Sequence, residues 1–349
     1  MYAEELLALF KRIAPEQLNE IGRRALVLTG IENMQPVGRR ALSARLHLSE
    51  REVRAVATSL KDQGLLHLDA AGMQLTEQAR DVLSGARDLS RAMFGLSELE
   101  RALAEQLHVQ HVVVVSGDAD EEQQVLRDVG RAAAHRIKQV LQSGMTLAVG
   151  GGSTMLEVAH GMTSSVPLNI MVVPARGGMG SSVETQASVV AAELARHVGG
   201  HYRVMHLPDS VDEATLREMC KQKELRETIE LLQRADVVAH GIGRADQMAK
   251  QRGLSQFECD KLLKKGAEGE AFGDFFDREG HTVMQLSTVS AELTRLQKNP
   301  VMLAVAAGTK KAAAIIACIR HEESYDSLIT DEGAANEILK LLSLEKQTV

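Results

Sequence analysis

Beyond Val109 the chain repeats one pattern: a short, nearly unbroken apolar run, a glycine-bearing turn, then a segment of helical rhythm. The runs are HVVVVSG (111–117), TLAVGGG (146–152), LNIMVVPARGG (168–178), HYRVMHLP (201–208), ADVVAHGIG (235–243) and VMLAVAAGT (301–309). Strands that are apolar at consecutive positions have both faces covered. Alternating with helices, they assemble into a mostly parallel sheet. The body is therefore expected to be α/β, with ligands bound beyond the carboxyl ends of its strands.

Those ends carry the chemistry. Gly150, Gly151 and Gly152 allow close backbone approach, and Ser153 and Thr154 follow at a helix start, where amides and hydroxyls suit an anion. On its own GGGST is equally a tight turn with no ligand. PARGGMG sets Arg176, a rigid two-pronged donor for phosphate, among glycines that include Gly178. AAGTKKAAA places Gly308, Thr309, Lys310 and Lys311 at a third helix start. Together the three turns point to an anionic metabolite with one or two phosphates. GxxxxGK[ST] is absent, and no full GxGxxG follows the 146–149 strand, so ATP and NAD are poorly supported.

The remaining polar groups are open to two readings. Asp118 and Asp120 in SGDAD either face a pocket or cap the next helix, and capping is favoured; Asp331 and Glu332 in TDEGAA pose the same choice. His240 either is buried beside the glycines or serves in binding, and the buried, structural reading is favoured. The rival function is sugar-phosphate isomerisation, which needs an acid and a base against the sugar carbons. Asp246, in AHGIGRADQM, is the candidate base, but it has no visible partner.

The first ninety residues differ. QLNEIGRRALVLTGIE (17–32), GRRALSARL (38–46) and EREVRAVATSLKDQG (50–64) form a tri-helical pattern with a short second connection. Ser49 and Glu52 make a capping box, Leu48 and Val53 fit a hydrophobic staple, and Val53, Val56, Ala57 and Leu60 recur at helical spacing. LLHLDAAGMQLT (65–76) supplies two short strands around a turn, a wing. The expectation is a winged helix-turn-helix. Between Gly38 and Lys61, Arg39, Arg40, Arg45, Arg51, Arg54 and Lys61 are opposed only by Glu50 and Glu52. The third helix turns Glu50, Arg51, Arg54, Ala55, Thr58 and Ser59 outward. Arg39, Arg40, Ser49 and Thr58 are candidate DNA contacts, and Arg51 and Arg54 the candidate base readers. A net charge of −7 excludes a generally basic coat but not such a local module.

From Thr76 to Leu107 an apolar stripe runs along a helical bridge that Gly95 breaks. It packs either on a second subunit or on its own chain. The expected division is a DNA-binding domain at 1–90, a helical linker at 91–108 and an effector domain at 109–345. No apolar run reaches 18 residues, which argues against a membrane span. MYAEELLALFKRIAP does not read as a signal peptide, so a cytoplasmic location is expected. Cys220, Cys259 and Cys318 lack metal-ligand spacing and are read as structural, and no metal is expected.

PVGRRALSARLHLSEREVR in the head, with VVVVSGDAD, GGST, PARGG, AHGIG, GEAFGDFF and TDEGAA in the body, resembles the SorC family of bacterial regulators over nearly the full length. The resemblance implies a DNA-binding head joined to a sugar-phosphate-binding body whose fold is like that of the sugar-phosphate isomerases. It further implies repression of glycolytic genes, relief by fructose 1,6-bisphosphate as effector with no cofactor, and operator DNA bound by a homo-oligomer, a dimer or tetramer. By the same resemblance, Gly152, Ser153 and Thr154 cradle one phosphate, and Arg176 and Gly178 form a second phosphate loop. Gln186 and Glu270 meet sugar hydroxyls. Lys311 serves the last phosphate turn, shaped by Gly308 and Thr309. Serine at 153 stands where threonine is usual and keeps the hydroxyl.

Overall fold

The computed structural model describes residues 9–10, 12–46, 48–93, 95–164, 166–179, 182–208, 212–286, 299–321 and 325–348. The chain divides into two compact units between Glu98 and Leu99.

The first unit holds α1 (Pro15–Met34), α2 (Arg39–Leu46), α3 (Glu50–Asp62), the hairpin β1 (Leu66–Asp69) and β2 (Gly72–Leu75), and α4 (Arg80–Met93). Helix α3 starts where the sequence places it. The Ser49 hydroxyl accepts from the Glu52 amide at 3.2 Å, while the Glu52 carboxylate accepts from the Ser49 amide at 2.8 Å. Two amides that the helix leaves without acceptors are thereby satisfied. Val53, Val56, Ala57 and Leu60 pack with Val27, Ile31 and Leu42 of α1 and α2, and with Leu66 and Met73 of the hairpin. The wing is a true hairpin, with Leu66 opposite Leu75 and Asp69 opposite Gly72. Its turn is held by the Asp69 carboxylate, which accepts from the amides of Ala71 and Gly72. Gly72 has a φ of +132°, and a β-carbon there would lie 2.8 Å from the Val37 carbonyl oxygen, so only glycine lets Val37 bridge to Met73.

The bridge is broken at Gly95 (φ +74°), giving α4 and α5 (Leu96–Leu107). Leu96, Leu103 and Leu107 are buried within the single chain. Much of the stripe is therefore covered without a second subunit.

The second unit is built on a seven-stranded, all-parallel sheet in the order β3-β13-β12-β7-β4-β5-β6. Its strands are β3 (His111–Val115), β4 (Thr146–Val149), β5 (Met171–Pro174), β6 (His201–Tyr202), β7 (Val237–Gly241), β12 (Val301–Val305) and β13 (Ser327–Asp331). Helices α6 (Gln123–Val140), α7 (Ser153–Gly161) and α8 (Ala187–Val198) contribute Val125, Val129, Ile137, Met155, Val158, Val190 and Leu194 to one core layer. That layer meets alternate strand residues such as Leu147, Val149, Val237, Ala239, Leu303 and Val305. Helices α9 (Glu213–Met219), α10 (Lys223–Gln233), α13 (Ala312–His321) and α14 (Glu332–Thr348) complete the doubly wound part.

The structure adds two features to the sequence reading. SLITD is a fully buried strand, β13, inserted between β3 and β12. A four-stranded sheet, β11-β10-β9-β8, stands apart from the main one. It comprises β8 (Gly243–Arg244), β9 (Ala267–Ala271), β10 (Asp274–Asp277) and β11 (Thr282–Gln285), with α11 (Ala245–Gln251) and α12 (Gln256–Lys264) alongside. The 201–208 run is shorter than expected as a strand. It lies at the sheet edge, and its ladder to β5 ends with the Arg203 amide donating to Val172. Cys259 and Cys318 are buried free thiols and Cys220 is half-buried; burial pushes the Cys318 thiol well up, which keeps it protonated.

Ser49→Ala should remove the cap of α3 and lower the stability of the first unit by about 1 kcal/mol. Urea denaturation followed by circular dichroism on the full chain checks this, and an unchanged first transition would contradict it.

Candidate functional site

The sheet reverses its winding between β4 and β7. From β4 the chain proceeds to β5 and β6 on one side; from β7 it proceeds to β12 and β13 on the other. The crevice at such a reversal is where open α/β sheets take ligands, and GGGST lies on its rim. The Gly150 amide donates to Ala239 and the Gly152 amide to Thr185, at 2.9 and 2.8 Å, so the turn is anchored at both ends. Gly152 has a φ of +103° and faces open space. Helix α7 starts directly after it, so the first-turn amides from Ser153 onward have no intrahelical acceptor and point their positive ends at the crevice. Ser153 is exposed, whereas Thr154 is buried.

Arg176, just past β5, is laid against this turn. A β-carbon on Gly151 would lie 2.7 Å from its Nη2 and 2.5 Å from the Thr185 carbonyl oxygen. The middle glycine is thus what allows a guanidinium to stand beside the α7 N-terminus. The rest of the PARGG loop is held from below by Gln186, at the N-cap position of α8. Its Oε1 accepts from the Met179 amide at 2.8 Å, and its Nε2 donates to the carbonyls of Met179 and Ser182. Both ends of the Gln186 amide are therefore engaged in shaping the loop. The Gly178 amide donates to Leu207, which fixes the loop's outer edge.

The third turn lies after β12, two strands from β4 in the same sheet. The Gly308 amide donates to Asp331 at 2.9 Å. The Thr309 amide and hydroxyl both donate to Asp118, at 3.2 and 2.5 Å, and the Lys310 amide donates to Asp120 at 2.8 Å. Hydrogen bonds from Thr309 hold the Asp118 carboxyl below its ordinary value in spite of partial burial. Burial lowers the affinity of the Lys311 ammonium for its proton, and the negative charges of Asp120 and Asp331 partly restore it.

The favoured capping reading of Asp118 and Asp120 is corrected here. Helix α6 has Glu122 at its N-cap position and no side-chain cap, and the two aspartates reach across to the β12 turn instead. The adjoining pair is resolved as structural. Asp331 is fully buried and accepts from the amides of Ala119, Gly308 and Ala334, and Glu332 accepts from the Ser116 hydroxyl and the Gly117 amide.

Glu270 is brought to the crevice by the small sheet, where β9 pairs it with Gly243 just past β7. It is buried with Arg252, whose Nη2 lies 2.5 Å from Oε1, and the same oxygen accepts from the Gly273 amide. Its other oxygen is the one facing Gly243, 3.5 Å from where a β-carbon would stand. His240 is buried on β7, with Nδ1 2.9 Å from the Gly241 carbonyl and Nε2 2.9 Å from the Tyr325 hydroxyl. A carbonyl can only accept, so Nδ1 carries the proton and Nε2 accepts from Tyr325. Burial pushes this imidazole down to about 4, so it is neutral and structural, as expected. Asp246 is held by both prongs of Arg244, at 3.1 and 2.8 Å, a restraint that does not suit a mobile base. Among the described residues, no group of His, Cys, Asp or Glu could hold a metal ion.

On the first unit, α3 exposes Glu50, Arg51, Arg54, Ala55 and Thr58, with Ser59 half-buried. Arg39 and Arg40 are exposed on α2, and Arg40 lies 3.3 Å from Glu50 across the short turn. The Ser49 hydroxyl is engaged in the cap. Sequence reasoning missed Arg252, Tyr325 and Thr185. Their only signal is three-dimensional, because each meets its partner from a distant part of the chain.

Comparison with known proteins also divides the chain in two, with the family models meeting at residues 91–92. The Sugar-bind model, a sugar-binding domain, matches residues 91–340, and the CggR N-terminal DNA-binding domain matches residues 19–92. The central glycolytic genes regulator of Priestia megaterium is 37% identical over 338 residues, covering 96% of this chain and 98% of that one. Its counterpart in Bacillus subtilis is 34% identical, covering 96% and 99%. A SorC family transcriptional regulator structure from Enterococcus faecalis matches with a TM-score of 0.65 at 37% identity, over 69% of this chain and 99% of its own. The full-length sorbitol operon regulator SorC from Klebsiella pneumoniae shares the fold, with a TM-score of 0.63 at 17% identity over 90% of this chain and 97% of its own. These proteins are regulators of transcription, and none of the four is an enzyme.

His240 gives a testable pH dependence. Its folded value lies below its ordinary 6.5, so the unfolded chain binds more protons between 6.5 and about 4. Its contribution is complete above 6.5 and is lost as pH falls through that window, on the order of 3 kcal/mol in total. His240→Gln should flatten the dependence of melting temperature on pH between 6.5 and 4 relative to the wild type. Parallel curves would exclude His240 as its source.

Proposed function

The chain belongs to the SorC family of sugar-binding transcriptional regulators, and from that membership we propose that it represses glycolytic genes until fructose 1,6-bisphosphate releases it from its operator. The reading is supported most directly by Arg176, which lies against Gly151 at the amino end of α7, in the crevice where the sheet reverses. A guanidinium and a helix N-terminus converging on open space favour a phosphoryl group. The Lys311 turn supplies a second cation two strands away, about 10 Å at ordinary strand spacing. A sugar carrying a phosphate at each end spans two such turns, and a monophosphate meets one. Glu270 and Gln186 are the proposed partners of the sugar hydroxyls. Gly152, Ser153, Thr154, Gly178, Gly308 and Thr309 complete the proposed set.

For the operator, Arg51 and Arg54 on the exposed face of α3 are the proposed base readers. Arg39, Arg40, Thr58 and the amide end of α3 at Ser49 are the proposed phosphate contacts. A homo-oligomer, dimer or tetramer, matches paired half-sites, and the operator places the protein in the bacterial cytoplasm. Effector and operator are linked: if the bisphosphate weakens DNA binding by some factor, DNA weakens bisphosphate binding by the same factor.

The test is operator binding by fluorescence anisotropy at fixed salt while fructose 1,6-bisphosphate is titrated in. Affinity should fall with the bisphosphate, and Arg176→Ala should need at least about tenfold more of it while binding the free operator normally. Arg54→Ala should weaken operator binding by about tenfold or more with the effector response intact. An operator affinity indifferent to the bisphosphate would refute the proposed induction.

A further inference from the structure

Two of the three candidate phosphate turns, those after β4 and β12, are not in the same state. The amino end of α7 faces open space at Gly152. At the β12 turn the donors that a phosphate would use are already taken by the protein's own anions. Asp118 holds the Thr309 amide and hydroxyl, and Asp120 holds the Lys310 amide with its other oxygen 3.8 Å from the Lys310 ammonium. A β-carbon at Gly308 would lie 2.9 Å from the Asp120 carboxylate, so the carboxylate is packed directly over the turn. Lys311, the cation proposed to meet the second phosphate, already faces the charges of Asp120 and Asp331.

Resting on the phosphate reading of this turn, we propose that Asp120 is a built-in competitor for the second phosphate, which the effector must displace from the Lys310 amide to occupy the site. Asp120 is the residue of the pair that yields. Its side chain is 30% exposed and makes one backbone contact to the turn, whereas Asp118 holds Thr309 through two bonds. Asp331 stays, because its oxygens bind three amides that build the loops themselves. A phosphate dianion outcompetes a single carboxylate for an amide and an ammonium by its greater charge and number of acceptor oxygens. A sugar with one phosphate in the α7 turn presents only hydroxyls to the β12 turn and leaves Asp120 in place. The carboxylate therefore lowers affinity selectively for ligands with two phosphates. It sets the concentration at which the second phosphate registers, while the β3–α6 loop that carries it stays held through Asp331 and Asp118.

The test is isothermal titration calorimetry on the full chain with fructose 1,6-bisphosphate and, separately, fructose 6-phosphate. Asp120→Asn keeps the side-chain shape and an acceptor oxygen for the Lys310 amide but removes the charge, and Asp120→Glu keeps the charge. Asp120→Asn should tighten bisphosphate binding by about tenfold or more, since a unit charge facing a phosphate is removed, and should leave monophosphate affinity unchanged. Asp120→Glu should stay near the wild type for both. Weaker or unchanged bisphosphate binding in Asp120→Asn, an equal change for both sugars, or the same gain in Asp120→Glu would overturn the competitor role. If those occur while the wild type binds the bisphosphate and Arg176→Ala does not, the effector site itself stands. A wild type that binds neither sugar removes both ideas together.

Discussion

The loops after β3 and β12 depend on one carboxylate. Asp331 ends the strand β13 with no exposure to solvent, and its two oxygens accept from three amides, those of Ala119 after β3, Gly308 after β12 and Ala334 in α14. A buried carboxylate is costly unless it is hydrogen-bonded, and amide donors can satisfy it. Burial still leaves its proton affinity raised. Strand ends in a parallel sheet diverge into loops with unpaired backbone groups, so a buried acceptor between them fixes several at once. Gly308 can present its amide there because its φ of +101° is open to glycine. The Lys311 turn, the aspartates over it and the start of α14 are all positioned from this point.

Local signals were legible in the sequence. The Ser49–Glu52 box spans four residues and appears as drawn, as do the α3 core face, the wing and the break at Gly95. Apolar runs identified the parallel sheet, because strands buried on both faces need no long-range information to be apolar. The misses share a cause. SLITD has only Leu328 and Ile329 as apolar residues, too few for the apolar run that marked the other strands, and it is a strand because β3 and β12 flank it. AEGEA and DFFD carry acids, which break the continuous apolar run by which the buried parallel strands were recognised. Glu270 is nevertheless buried, because Arg252 and the Gly273 amide surround it.

The proposed site was legible by residue type and not by partnership. Gly152, Arg176 and Lys311 were recognisable as phosphate-friendly residues at strand ends, and the topology places their strands in one sheet about a single reversal. Nothing local showed that Asp118 meets Thr309 across 191 positions, or that Gln186 holds the neighbouring loop. Helix capping is the common use of an aspartate after a strand, and it was displaced here by a non-local acceptor role. Such pairings arise from strand order, which residue spacing does not encode.

His240 forms part of the crevice floor, locked between the Gly241 carbonyl and the Tyr325 hydroxyl and packed against Gly150. A histidine in such a place is the usual means by which a protein registers acidity near neutrality. This one has been carried out of that range by burial, so its charge does not change as the surroundings turn mildly acid. Sugar breakdown releases acid along with its intermediates. On the proposed reading, in which the crevice takes a phosphosugar, this imidazole adds no response of its own to that acid.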